Sequence, residues 1–143
     1  MIGNSIPETS PVKQRQALIA AANAGDARSQ FLLAERYRIG DEFTERDYSE
    51  ALKWYGLAAE QGDPDAQNNL GSMFLTGLGV PKDAAKAVTW YRRAAKQGLP
   101  VAQFGNTSAS LSLATIYERG LGVGQDQARA LAWLRWGLAP TGE

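Results

Sequence analysis

Residues 51–62 read Ala-Leu-Lys-Trp-Tyr-Gly-Leu-Ala-Ala-Glu-Gln-Gly, and residues 87–98 repeat the pattern as Ala-Val-Thr-Trp-Tyr-Arg-Arg-Ala-Ala-Lys-Gln-Gly. The offset between the two copies is 36 residues, and a fainter copy, Ala-Leu-Ala-Trp-Leu, follows 43 residues later at 130–134. Self-similarity at this period is typical of stacked helical hairpins, in which each unit buries its apolar face against its neighbours. The sequence therefore predicts an all-α solenoid of antiparallel helical hairpins.

The composition excludes several classes of function. The chain has 143 residues, and its 15 Lys and Arg balance its 15 Asp and Glu. Such a chain lacks the cationic excess that binds phosphate backbones, so we expect no nucleic-acid partner. Without cysteine or histidine it also lacks thiolate nucleophiles, the commonest general base and most zinc ligands. We therefore expect no catalytic residues, no metal and no cofactor. No apolar run approaches the roughly 20 residues of a membrane span, so membrane insertion is not expected.

The repeat spacing divides the chain into a lead, a cap and three units. Residues 1–10 are expected to form a flexible lead, and residues 11–143 a single repeat domain. A helix over residues 12–24 corresponds to the second half of an earlier repeat, and we interpret it as a cap that shields one end of the solenoid. Each unit is predicted to contain two helices, which makes seven in all. The units span about 26–62, 63–98 and 99–139.

The third unit carries seven extra residues. Its Gly-Leu-Gly-Val sequence at 120–123 lies 43 residues after the counterpart at 77–80, and the surplus falls on residues 101–107. Seven residues make nearly two helical turns, so they can extend the first helix with its faces in phase. Gly105-Asn106-Thr107 instead favours a break followed by a new N-cap. We predict a short turn of helix, a kink, and a helix from about Thr107 to Arg119.

Two recurring features are interpreted as structural. The Trp-Tyr pairs at 54–55 and 90–91 have helical spacing beside the alanines that face the neighbouring helix, so we predict that they pack in the core. The Gly-x-Gly-Val loops lack the Gly-Lys-Ser/Thr sequence of a phosphate-binding loop. Their glycines are expected to end one helix and to permit a tight turn into the next.

The second unit has the most regular pattern, which comprises Ala66-Gln67, Leu70-Gly71, Phe74, Gly77-Leu78-Gly79-Val80, Asp83, Lys86-Ala87, Trp90-Tyr91, Ala94-Ala95 and Gln97-Gly98. This pattern resembles the Sel-one-like repeat, a branch of the tetratricopeptide-repeat superfamily, over about residues 13–139. The resemblance implies a right-handed superhelix, with first helices on the concave side and second helices on the convex side. The first unit departs from the family pattern at residues 41–44, and the third departs from it at Leu134, where the family has tyrosine.

The resemblance also implies where a partner binds, because tetratricopeptide repeats contact peptides through first-helix positions on the concave side. The first unit contributes Arg28, Phe31, Glu35 and Arg38. The second contributes Asp65, Asn68, Asn69, Ser72 and Thr76, and the third contributes Ser108, Leu111, Thr115, Glu118 and Arg119. Asn69 aligns with an asparagine that holds the ligand backbone in peptide-binding relatives, and an amide can both donate and accept hydrogen bonds.

Family members act mainly as adaptors or scaffolds, so the expected function is recognition of a protein or peptide partner, without enzymatic activity. One alternative is self-association, for example as a homodimer, through the last helix, where Leu134, Trp136 and Leu138 are apolar and Trp136 takes an exposed position. Another is a small-ligand binder or hydrolase of the family's penicillin-binding branch, although this chain lacks that branch's cysteine pairs. No secretory signal is recognised, so we expect a cytoplasmic location by default, or a periplasmic or secreted one if a signal has been trimmed.

Overall fold

The computed structural model describes residues 10–97 and 103–138, and this part of the chain forms seven α-helices connected as antiparallel hairpins. They are α1 (Pro11–Asn23), α2 (Ala27–Ile39), α3 (Tyr48–Glu60), α4 (Pro64–Thr76), α5 (Ala84–Lys96), α6 (Gln103–Arg119) and α7 (Gln127–Leu138). These residues contain no β-strand, although Asp41 and Thr44 form an isolated bridge. The predicted all-α solenoid is confirmed. Residues 1–9 of the predicted flexible lead lie outside the described residues.

The helices begin where polar side chains satisfy the backbone N–H groups that have no partner in the first turn. Ser10 caps α1 by accepting a hydrogen bond from the N–H three residues further on. Aspartates 26, 47, 63, 83 and 126 cap α2, α3, α4, α5 and α7 in the same way. At the other end, α2 and α4 stop at Gly40 and Gly77, whose φ angles of 79° and 74° favour glycine.

The helices pack mainly on their neighbours along the chain, as expected for a solenoid. The first helices of the hairpins are α2, α4 and α6, and the second helices are α3, α5 and α7, with α1 preceding them. We call the solvent-exposed sides of these two sets the first-helix face and the second-helix face. Pairs of fully buried alanines at 58–59 and 94–95 let α3 and α5 approach the first helices closely.

The predicted kink in the third unit is wrong. Helix α6 runs without interruption from Gln103 to Arg119, and is 17 residues long where α4 has 13. Gly105-Asn106-Thr107 continues the helix, while residues 101 and 102 lie outside the described residues. Relative to α4, the insertion adds four residues, about one helical turn, to the N-terminal end of α6. The physical reason is that one glycine in a helix interior costs only about 1 kcal/mol, so Gly105 does not by itself end a helix.

The aromatic pairs pack in the core as predicted, with one exception. Trp54, Tyr55 and Tyr91 are buried, but Trp90 is partly exposed. The guanidinium of Arg93 lies over the Trp90 ring, 4.5 Å from its centroid. The remaining exposed surface of Trp90 lines a cleft that also borders Gly56, a position where no side chain is available to cover the indole.

The second glycine of each Gly-Leu-Gly-Val loop packs against the start of the preceding second helix. A Cβ at Gly79 would lie 2.8 Å from Tyr48 Cβ and 2.9 Å from the Tyr48 carbonyl oxygen. A Cβ at Gly122 would lie 2.4 Å from Ala84 Cβ, and both glycines have positive φ, 71° and 74°. These loops therefore require glycine for close approach as well as for the turn, which confirms their structural interpretation.

Candidate functional site

The hydroxyl of Tyr55 joins the second helix α3 to the first helices α2 and α4. Its ring is fully buried, and its hydroxyl donates to Glu35 Oε1. The same hydroxyl oxygen accepts from Arg38 Nε at 3.0 Å and from Asn69 Nδ2 at 3.4 Å. Glu35 pairs with Arg38 at 2.8 Å and accepts from Asn69 Nδ2 at 2.7 Å. Three predicted site residues, Glu35, Arg38 and Asn69, thus meet in one group that we call the Tyr55 cluster.

The electrostatics of the Tyr55 cluster fix its protonation states at neutral pH. Burial raises the pKa of Glu35, but hydrogen bonds from Arg38, Tyr55 and Asn69 outweigh it and hold this pKa below the ordinary value. Burial and the neighbouring Glu35 carboxylate raise the pKa of Tyr55. Tyr55 therefore remains a neutral hydrogen-bond donor beside the Glu35 carboxylate, and their hydrogen bonds join α2, α3 and α4.

A neutral version of the cluster occurs one hairpin further along, at Tyr91. Burial raises the pKa of the Tyr91 hydroxyl, while hydrogen bonds with Ser72 and Ser112 oppose this shift. Ser72 takes the repeat position of Glu35, and Ser112 takes that of Asn69. The repeat pattern predicts that both tyrosines lie in the core, but it does not reveal the hydrogen bonds of their hydroxyls. Tyrosine rather than phenylalanine at both positions was the signal that could have revealed them.

Arg28 connects the starts of two successive first helices. Its Nη1 lies 3.2 Å from Asp63 and 2.8 Å from Asp65, and its guanidinium lies 4.3 Å from the Phe31 ring centroid. Phe31 itself is buried beneath Arg28 and tilted against Tyr55, with 6.0 Å between the ring centroids. Phe31 therefore packs in the core, which corrects its assignment to the partner-contacting surface.

The other predicted residues lie along α4 and α6. Asn68 is partly buried, and its Oδ1 has no hydrogen-bond partner among the described residues. Thr76 and Thr115 donate their hydroxyl protons to carbonyls of their own helices, at 2.8 Å and 2.9 Å. Glu118 and Arg119 are exposed at the end of α6. The side chain of Ser108 lies outside the described residues.

Two of the clefts formed by the described residues lie beside first helices. The first, of about 460 Å³, lies between α1 and α2 and is lined by Gln14, Leu18, Leu32, Glu35, Arg36, Ile39, Gly40 and Asp41. The second, of about 310 Å³, lies between α4 and α6 and is lined by Leu75, Leu111, Ser112, Thr115, Ile116 and Leu121. Leu32, Ile39 and Leu111 are 44%, 62% and 42% exposed. Sequence reasoning missed Leu32 and Ile39, although their seven-residue spacing on α2 places both on one helix face.

Glutamine side chains join the ends of α1 and α3 to the hairpins that follow them. Gln30 Nε2 donates to the Ala22 carbonyl at 3.1 Å, and Gln67 Nε2 donates to the Ala59 carbonyl at 3.0 Å. Both acceptors lie in the last turn of a helix, and each also accepts a backbone hydrogen bond at 3.0 Å from the glycine three residues further on. These bonds recur with the repeat, which gives a physical reason for glutamine at both positions.

At the end of α5, Trp136 of α7 supplies the corresponding hydrogen bond. Ser110 takes the place of the glutamine, and its buried Oγ has no hydrogen-bond partner among the described residues. The equivalent acceptor, the Ala95 carbonyl, receives a hydrogen bond from Trp136 Nε1 at 3.0 Å. Trp136 is still 51% exposed and meets Trp133 edge-on. Leu134 is partly buried, and the side chain of Leu138 lies outside the described residues.

The described residues hold no group of three or more acidic side chains placed to bind a metal ion. Within the same ranges, no helix combines the length and hydropathy that crossing a bilayer requires.

Comparison with known proteins relates this geometry to one family. The Sel1 repeat model matches residues 27–63, 64–99 and 107–135. A protective antigen present in uropathogenic Escherichia coli strains, which displays an SLR fold, is 35% identical with a TM-score of 0.78, over 87% of this chain and 25% of that one. A Sel1 repeat protein from Oxalobacter formigenes is 28% identical with a TM-score of 0.76, and the match covers 94% of this chain and 97% of that one. The chain thus spans a quarter of the first protein and nearly all of the second. No curated protein matches it in sequence.

Proposed function

The chain belongs to the Sel1 repeat family, and from this premise we propose that it binds a peptide or protein partner on its first-helix face. Sel1 repeat proteins are generally non-catalytic helical scaffolds for protein interactions. The observation that supports the proposal for this chain is the exposed apolar surface of Leu32, Ile39 and Leu111. Apolar side chains grouped beside clefts are typical of interaction sites.

Polar groups next to this apolar surface supply a means of orienting the partner. The side chains of Glu35 and Arg38 are 24% and 38% exposed, so the outer edge of the Tyr55 cluster reaches solvent. The Asn69 amide nitrogen donates its hydrogen bonds to Glu35 and Tyr55, within the Tyr55 cluster. We therefore assign Asn69 the role of positioning Glu35, rather than of holding the ligand backbone directly. A partner would bury apolar side chains in the clefts and meet Glu35 and Arg38 between them.

Affinity capture with quantitative mass spectrometry tests this proposal. We expect the double variant Ile39→Asp/Leu111→Asp to lose at least tenfold of the partner retained by the wild type, because it places charges on both apolar sites. Leu57→Asp is the matched control, since Leu57 is 45% exposed on α3 of the second-helix face. Exposed substitutions of this kind leave stability within about 0.5 kcal/mol, so folding should not confound the comparison. A partner retained by the double variant and lost with Leu57→Asp would contradict the proposal.

Self-association through α7 is a second candidate, favoured by Leu131 and Trp136, which are each 51% exposed. Two variants separate association from stability. Trp136→Phe should lower the free energy of unfolding by about 0.5–1.5 kcal/mol, because the hydrogen bond from the indole N–H to the Ala95 carbonyl is lost. Leu131→Asp should leave stability unchanged and abolish any dimer seen by sedimentation velocity at rising concentration. A strictly monomeric wild type would exclude this candidate, and a fully stable Trp136→Phe variant would contradict the role of the indole N–H.

A further inference from the structure

A cleft of about 390 Å³ opens on the second-helix face, between α3 and α5. Its walls are apolar and come from three helices. Leu52 lies on α3, Leu70 and Phe74 rise from α4 beneath, and Trp90 lies on α5. This cleft shares no lining residue with the two clefts beside the first helices.

The cleft is open because Gly56, in the middle of α3, has no side chain to fill it. Glycine destabilises a helix interior relative to alanine through its backbone entropy, so its presence there needs a reason. Neither of the usual reasons applies: Gly56 is not among the glycines with positive φ, and a Cβ at this position would meet no atom within 4 Å. In the next hairpin the same position is Arg92, whose Nη2 reaches the Tyr117 hydroxyl at 3.3 Å.

Two cationic side chains of α5 flank the aromatic floor: Lys86 is a lining residue of the cleft, and Arg93 lies over the ring of the lining residue Trp90. Lys86 Nζ lies 5.4 Å from the Phe74 ring centroid and has no carboxylate within ion-pair distance among the described residues. Arg93 covers Trp90, and its nearest described carboxylate, on the largely exposed Glu60, lies 3.9 Å away. The two cations are seven residues apart on α5, which corresponds to about 10 Å along the helix. An extended chain covers that distance in about three residues.

We propose that this cleft binds an extended acidic peptide segment of a partner protein. One leucine- or phenylalanine-sized side chain of the segment inserts over Phe74 and Trp90. Carboxylates on either side of it, about three residues apart, pair with Lys86 and Arg93. Pairing of unlike charges around an apolar insertion supplies both affinity and specificity for acidic segments. The inference is independent of the function proposed for the first-helix face, because it concerns the opposite face of the hairpins.

Selection from a random peptide display library against the wild-type chain tests the proposal. We expect the enriched peptides to share one large apolar residue flanked by Asp or Glu on both sides. A synthetic, fluorescein-labelled peptide of the enriched sequence should then bind at least tenfold more weakly to Gly56→Gln, which fills the cleft without adding charge. Lys86→Glu should weaken binding by a similar factor, since Lys86 is exposed and its reversal leaves the core intact. Binding should also weaken as salt concentration rises.

Two controls keep the outcome specific. Gly56→Ala leaves most of the cleft open, so it should bind the peptide within twofold of wild type while unfolding at a higher urea concentration. Ile39→Asp, on the first-helix face, should leave the affinity unchanged. Enriched peptides that bind Gly56→Gln as tightly as wild type would overturn the proposal. The proposal would also be overturned if only Ile39→Asp weakened binding of the peptide, and that result would support binding on the first-helix face. If the chain self-associated and Gly56→Gln abolished that association, the cleft would be assigned to a second copy of the chain. This result would also overturn the proposal of an acidic peptide.

Discussion

Tyr55→Ala is expected to lower the free energy of unfolding by about 3–5 kcal/mol, the range typical of removing a buried aromatic ring. The ring of Tyr55 is fully buried and packs against Phe31, so its removal leaves a cavity between α2 and α3. The same substitution removes the hydroxyl on which Glu35, Arg38 and Asn69 converge. Urea unfolding followed by circular dichroism measures the loss.

Tyr55→Phe separates the two contributions. It retains the ring and removes only the hydroxyl, so the expected loss is about 1–2 kcal/mol from the hydrogen bonds of the Tyr55 cluster. If Tyr55→Ala lost less than about 1 kcal/mol, the central packing role of this tyrosine would be refuted. A Tyr55→Phe variant as stable as wild type would show that Glu35, Arg38 and Asn69 satisfy one another without the hydroxyl.

Gly79→Ala has the second large expected effect, a loss of about 2–5 kcal/mol. A left-handed φ of 71° costs a residue with a Cβ about 1–2 kcal/mol. The new methyl group would also collide with the backbone of Tyr48, at 2.9 Å from its carbonyl carbon and oxygen. Overpacking of this kind adds about 1–3 kcal/mol, because backbone atoms at the start of α3 cannot move aside cheaply.

Gly25→Ala is the matched control for the clash. Gly25 has a φ of 98°, yet a Cβ at this position meets nothing within 4 Å. We therefore expect only the conformational penalty, about 1–2 kcal/mol. Equal losses for the two variants, measured by the same urea titration, would mean that a methyl group at position 79 is accommodated beside Tyr48 without an overpacking cost.

The hairpin architecture could be predicted because core positions recur with the repeat and helix starts carry aspartate. Burial of Trp54, Tyr55 and Tyr91 follows from that periodicity alone. Exposure of Trp90 could not be predicted, because it depends on Gly56, a neighbour across the helix pair rather than along the chain. The uninterrupted α6 was missed for another reason. Local preference favoured a break at Gly105, whereas the backbone is helical from Gln103 onward, because one interior glycine costs a helix only about 1 kcal/mol.

The positions of the candidate site residues could be predicted from the sequence, but the contacts between their side chains could not. The family pattern led to Glu35, Arg38 and Asn69, but the hydroxyl that joins them comes from a different helix. The hydrogen bond from Trp136 to Ala95 was equally hidden. It compensates for serine in place of glutamine at position 110, and the two residues lie 26 positions apart in the sequence. Compensation between distant positions has no local signature, so a three-dimensional structure is needed to find it.

The two tyrosine clusters have a directional consequence. Tyr55 is surrounded by the ionised Glu35 and Arg38, whereas Tyr91 meets the uncharged Ser72 and Ser112. A ligand chain laid across α2 and α4 would therefore meet an ionic end and a neutral end. If the ligand chain bound in the opposite N-to-C direction, the side chains that had faced the ionic end would face the neutral end, and the reverse. If the proposed partner binds on this face, the asymmetry would let an otherwise periodic surface distinguish a sequence from its reverse.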